Sequence, residues 1–160
     1  MKVNDRLVWI ELVTSGPDPD EDRIERIATV VTDKELAVVA ELGPLAVTET
    51  ADAEAATLEV VKAHVGPGVG LIAGTRVQDV RSFLAAQMPA LFDHLHYRNV
   101  DVTTVRELVR RWYPEAWASR PEGDGSIAAA VTELRHYRAT AFRPAPEGSE
   151  GSEDAADDRD

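Results

Sequence analysis

Three β-rich stretches precede any helix-forming pattern, which ties the chain to architectures built on an initial meander. Leu7-Val8-Trp9-Ile10 is a short continuous apolar run of the kind that fills a buried central strand. Thr14-Ser15-Gly16-Pro17-Asp18 follows with loop chemistry. Ile24 to Thr32 and Leu36 to Leu42 are rich in β-branched residues. The Asp33-Lys34-Glu35 turn between them predicts an antiparallel hairpin, closed by Gly43-Pro44.

Helices then alternate with strands. Ala51 to Val65 reads as a helix with Leu58, Val61 and Val65 on one face, stopped by Gly66-Pro67-Gly68. Val69 to Ala73 has the pattern of another buried strand. Val77 to Gln87 reads as a helix with Val80, Phe83 and Leu84 inward. Asn99 to Val102 is a short edge strand by composition. Thr104 with Glu107 fits a capping box, opening a helix whose stripe is Val105, Leu108, Val109 and Trp112 and which ends at Pro114. A last helix covers about Ser126 to Ala141, with Ile127, Ala130, Val131, Leu134 and Tyr137 on one face. A meander followed by strand–helix alternation predicts an α/β fold with a mixed central sheet flanked by helices.

At 160 residues the chain is long enough for one domain with a real core. We place that domain at residues 1–142 and expect the remainder, 143–160, to be a disordered acidic tail. Half of the net charge of −12 lies after Pro146, where seven carboxylates stand against Arg159. The rest remains acidic, which argues against broad attraction to long nucleic acid but not against a short oligonucleotide met by a few local cations. Without cysteine, thiolate metal sites and disulfides are excluded. The sequence holds neither a membrane-length apolar run nor a signal-peptide pattern, so no membrane partner and a cytoplasmic location are expected.

The most distinctive segment runs from His94 to Pro114 and contains His96-Tyr97-Arg98-Asn99-Val100-Asp101-Val102-Thr103-Thr104 and Glu107-Leu108-Val109-Arg110-Arg111-Trp112-Tyr113-Pro114. It resembles the H-Y-R-N-x-D-V-S/T-S/T-x-x-E-L-x-R-R-W-Y-P segment of the oligoribonucleases, homodimeric 3′→5′ exoribonucleases of the DEDDh type. Further blocks resemble the same family in the same order. They are Asn4 to Ile10 with Ser15-Gly16 and Ile24 to Leu36, Ala73-Gly74 with Arg81 to Leu84 and Met88 to Leu91, and Glu133 to Arg138. The resemblance implies a ribonuclease H-like fold shortened by an internal deletion. Only Pro44 to Gly70 occupies an interval where the family carries a long helical stretch with a substrate-side Trp and His.

The family's chemistry uses two divalent cations, magnesium or manganese, held by four carboxylates, with a His activating water. Against the motif W-I-D-x-E-x-T-G-L this chain has Trp9-Ile10-Glu11-Leu12-Val13-Thr14-Ser15-Gly16-Pro17. Glu11 alone keeps a carboxylate at a catalytic position, displaced by its extra methylene, while Val13 cannot ligate. Pro17 stands where the family wedges a leucine between bases. Against A-G-N-S-x-x-x-D-R-x-F-L the chain has Ala73-Gly74-Thr75-Arg76-Val77-Gln78-Asp79-Val80-Arg81-Ser82-Phe83-Leu84. Arg76 replaces a phosphate-binding Ser, and Val80 replaces the catalytic Asp. Asp79 is one residue early, a rotation of about 100° on a helix. Counting back from Glu133 puts Pro121 at the general-base His and Ser126 at the last Asp, with Asp124 nearby at the wrong register. The resemblance therefore implies no catalytic residues and no metal ligands here, and hence no metal cofactor.

Tyr97 and Arg98 survive, a pair that in the family reaches across the dimer to the partner's substrate phosphate. They either keep that contact or only hold two subunits together. The spacing of His94 and His96 could suggest a metal pair, but active family members carry it without using it so. His64 and His136 lack ligand partners at useful spacing. Asp18, Asp20, Glu21 and Asp22 read as a solvated loop, and Arg106, Arg110 and Arg111 as phosphate contacts or an exposed face bearing Glu107. Two functions compete. One is an inactive, dimeric binding or regulatory module for short oligonucleotides or for an active oligoribonuclease. The other is an exoribonuclease with residual metal-dependent activity through Glu11, Asp79 and Asp124.

Overall fold

The structure, a computed structural model, describes residues 5–144, so the expected acidic tail lies outside the described residues from 145 onward. Five strands form one mixed sheet in the order β3-β2-β1-β4-β5. β1 (Leu7–Thr14) pairs antiparallel with β2 (Ile24–Thr32), and β2 antiparallel with β3 (Val38–Ala46). β4 (Leu71–Gly74) runs parallel to both β1 and β5 (His96–Asp101). The meander and the mixed sheet are those predicted.

Strand alternation divides the core into two layers. Val8 and Ile10 of β1, with Ile27 and Val31 of β2, face α1 (Thr50–His64), α2 (Val77–Gln87) and α3 (Pro89–His94). Trp9 and Ala73 face the opposite way, onto Val102 of α4 (Val102–Trp112) and Ile127, Ala130 and Val131 of α6 (Ile127–Thr140). A smaller cluster of Val109, Ala116 and Tyr137 joins α4, α5 (Pro114–Ala118) and α6. Trp9 is wholly buried, and its indole N–H donates to Thr32 Oγ1 at 2.9 Å, so the polar edge of this core aromatic is satisfied.

Several local expectations need correction. Gly43-Pro44 does not close the hairpin, because β3 continues to Ala46 through a register irregularity opposite Ile27 and Thr29. An edge strand tolerates the missing proline N–H. Gly43 has φ +90°, and a Cβ there would stand 2.7 Å from Leu45 N and 2.8 Å from Ile27 O, so only glycine fits the bend. The helix from Val102 has no Thr104–Glu107 box. Asp101 caps it instead, Oδ1 accepting from Thr103 N at 2.9 Å, while Oδ2 accepts from Val77 N at 2.9 Å and caps α2 as well. Glu107 turns to Arg110 and Arg111 one helical turn on. Those guanidinium bonds, Arg110 first, hold its carboxyl down at about 2. The apolar stripe of this helix splits, since Val109 is buried while Leu108 and Trp112 are 40% and 64% exposed. The two short helices α3 and α5 were not anticipated.

Candidate functional site

β1 carries Glu11 on the same side of the sheet as Trp9, toward α6. There the last helix begins, and the Glu11 carboxylate meets its N-terminus. Oε2 accepts from Ile127 N at 3.1 Å, and the Ser126 hydroxyl accepts from Ala129 N at 3.2 Å. Two N-terminal amides of α6 are thus satisfied by side chains on either side of one cleft, and the negative charge suits the positive end of the helix. The cleft holds about 300 Å³ and is bounded by Glu11, Leu12, Pro17, Arg76, Val80, Phe83 and Ser126, among others.

Arg76 enters from the turn after β4. Its backbone is left-handed (φ 55°, ψ 45°), a geometry that costs a non-glycine residue about 1 kcal/mol. Its guanidinium pairs with Asp79 at 2.5 Å, both side chains being largely exposed. The one-residue offset leaves Asp79 bordering the cleft beside Val80, rather than turned away from it, with its carboxylate spent on Arg76. Asp124 does not line the cleft. It accepts from Ser126 N at 3.0 Å, and hydrogen bonding from Ser126 keeps its carboxyl below the ordinary range.

These side chains do not suit a pair of divalent cations. Magnesium needs several hard oxygen ligands in near-octahedral array. Here Glu11 is committed to Ile127, Asp79 to Arg76, and Val80 offers no ligand. Among the described residues, no group of three or more His, Asp or Glu side chains is placed to hold a metal ion.

A second groove of about 660 Å³ adjoins the cleft and shares Thr75, Arg76, Gly125, Ser126 and Ala130 with it. Thr103, Arg106, Trp117, Arg120 and Pro121 continue its wall. Arg106 makes a two-pronged pair with Glu133, Nε to Oε1 and Nη2 to Oε2 each at 2.7 Å, and Tyr137 donates to the same carboxylate at 2.5 Å. Burial pushes the Glu133 carboxyl up, but the bonds from Arg106 and Tyr137 outweigh it and leave the group below its ordinary value. Burial and the bond to Glu133 push Tyr137 up to about 12. The Arg120 guanidinium lies 3.6 Å above the Trp117 ring centre and donates to Trp117 O at 2.8 Å. Arg120, Trp117 and Asp101 were missed in the sequence. Arg120 and Trp117 meet only three residues apart, and what the sequence hides is their place in a groove with Arg76 and Arg106, as it hides the bond from Asp101 to Val77.

Tyr97 and Arg98 sit on β5, the sheet edge, outside the lining of both cavities. Tyr97 is 69% exposed, stacked on His96, with the Arg98 guanidinium 5.6 Å from its ring. His94 and His136 hold the fold together. His94 is buried with Nε2 at 2.8 Å from Val65 O, and His136 Nε2 lies 2.8 Å from Ala116 O. The acidic loop bonds to itself, Asp22 accepting from Ser15 Oγ and Asp18 N, and Asp18 from Asp20 N. Arg110 and Arg111 are engaged by Glu107, as an exposed helix face would have them.

A mixed five-stranded sheet in this order, with helices on both faces and a cleft at the end of β1, defines a ribonuclease H-like protein of the exonuclease class. E. coli exonuclease I in complex with an oligonucleotide superposes with a TM-score of 0.65 over 86% of this chain at 14% identity, a likeness of fold. The chain spans only about 41% of that larger protein. No protein-family model matches. The oligoribonuclease of Streptomyces avermitilis is 38% identical over 181 aligned positions, covering 90% of each chain. That of Shewanella loihica is 34% identical, covering 86% of this chain and 96% of the relative. The chain belongs to the oligoribonuclease family. Among its described residues no helix is long and apolar enough to cross a membrane.

Proposed function

We propose that this chain is a catalytically inactive oligoribonuclease-like protein, a dimeric module that binds short oligonucleotides or an active homologue in the cytoplasm. The observation that carries the reading is the engagement of Glu11. The one carboxylate left at a family catalytic position caps α6 through Ile127 N, and Val80 and Ser126 stand where further ligands are needed. No catalytic residue and no metal ligand is assigned.

The dimer is supported by an exposed apolar set, Tyr97, Leu108, Trp112 and Tyr113, on β5, α4 and its C-terminal cap. A folded monomer has little reason to leave four such side chains on neighbouring elements in water. Tyr97 and Arg98 belong to this surface and are assigned to subunit contact or to the partner's ligand.

Purified protein incubated with a 5′-labelled RNA dinucleotide and magnesium or manganese should give no turnover beside an active family member. Turnover that disappears in Glu11→Ala overturns the reading. It would favour the competing one, residual hydrolysis through Glu11, Asp79 and Asp124, for which the place of Asp79 on the cleft wall is the supporting observation. The Arg76 pair and the position of Asp124 outside the cleft lining weigh against it.

A further inference from the structure

The groove between α4, α5 and the start of α6 concentrates cations on an acidic molecule. Arg76, Arg106 and Arg120 reach it from three separate parts of the fold, against Glu122 and Glu133 on the same walls. Arg106 is neutralised by its two-pronged bond to Glu133. Among the described residues no carboxylate lies within ion-pair distance of Arg120, which is held to the fold by the Trp117 ring and carbonyl and acts on Glu133 only at longer range. Arg76 pairs with Asp79, but both side chains are more than half exposed, and such a pair yields readily to a better anion. Its left-handed backbone is one of two non-glycine instances among the described residues, and it sits on the wall shared by the cleft and the groove. Strained backbone of this kind is found where a side chain has to be aimed.

Resting on the reading that this chain binds short oligonucleotides, we propose that the groove is a metal-independent site for the backbone phosphates of a short single strand. Arg76 and Arg120 neutralise the phosphates, and the Arg120–Trp117 stack is the platform for one base. Guanidinium planes match phosphate oxygens in two-pronged geometry, and a planar cation lying on an indole extends the surface on which a base can stack. Thr75 lies on the same wall, while the Thr103 hydroxyl is already engaged by Asp101. The cleft itself lacks carboxylates free to gather divalent cations, so charge neutralisation passes from metal ions to fixed arginines. Binding by fixed cations survives chelation and weakens as salt rises.

The test is fluorescence anisotropy of a labelled tetra-adenylate RNA with the full chain in EDTA, repeated with magnesium. Binding in EDTA should equal binding in magnesium. Arg120→Gln and Arg76→Asn should each weaken it about tenfold, the loss expected for a charge-assisted contact. Asparagine tolerates the left-handed backbone at residue 76. Arg138→Gln, whose guanidinium pairs with Glu35 at the far end of α6, should change nothing. Binding that requires magnesium, or that ignores both variants, overturns the groove and leaves the oligonucleotide-binding reading standing. Absence of binding in either buffer overturns both. Arg120 is exposed, so its variant keeps the test decisive even if Arg76→Asn melts early.

Discussion

At Glu11 a carboxylate and a helix N-terminus meet across almost the whole chain. Losing that acceptor exposes the amide of Ile127 to a half-buried environment without a partner. Glu11→Ala should therefore lower stability by about 1 kcal/mol, the usual value of a helix cap, whereas Glu11→Gln, which keeps an acceptor oxygen, should lose less than half of that. Chemical denaturation of the two variants checks it, and an equal loss in both would show that charge rather than the hydrogen bond matters. The carboxylate at residue 11, at the end of a buried strand, was legible from the sequence alone. Its use as a cap was not, since no local pattern links residue 11 to residue 127. The one-residue displacement of Asp79 was legible too, but the helical rotation alone overstated its consequence. Asp79 still borders the cleft, its carboxylate paired with Arg76.

Between elements, the clamp of Arg106, Glu133 and Tyr137 fastens α4 to α6 beside the groove. Tyr137 is fully buried and its folded-state pKa, about 12, lies above the ordinary 10.0. A raised value means that the folded protein holds this proton more tightly than the unfolded chain. Its contribution is complete below pH 10 and is lost as pH rises toward 12. Stability from urea titrations should fall more steeply across this alkaline window in the parent than in Tyr137→Phe. That variant should cost about 1 kcal/mol at neutral pH, because Glu133 loses a donor. The six-residue and five-residue helices α3 and α5 escaped the periodicity argument because neither is long enough to repeat a face. Pro89 and Pro114 at their first turns were the available signal, and Pro114 was read only as the end of the preceding helix. The longer α1, α2 and α6 lay within a residue or so of where their apolar spacing put them. The misplaced cap of α4 has another cause. A Thr-x-x-Glu pattern is local, whereas Asp101 was needed to serve two helices at once.

For the whole molecule, the exposed aromatics of β5 and α4 set the expected assembly. Size-exclusion chromatography with light scattering should give twice the mass of one chain. Trp112→Glu should yield monomer, since it removes a large aromatic side chain and puts in its place a charge that association would have to desolvate. A monomeric parent chain would remove the basis for assigning Tyr97 and Arg98 to a subunit contact.

The bond from Glu11 to Ile127 joins the first strand to the last helix, 116 residues apart. An interaction with so wide a loop to close is among the last to form, after the sheet and its nearer helices have organised themselves. It therefore acts as a latch on the finished chain. Releasing it should hasten unfolding and leave the rate of folding nearly untouched. On this reading the carboxylate of residue 11 sets how long the protein stays folded, which unfolding rates of Glu11→Ala and the parent chain would check.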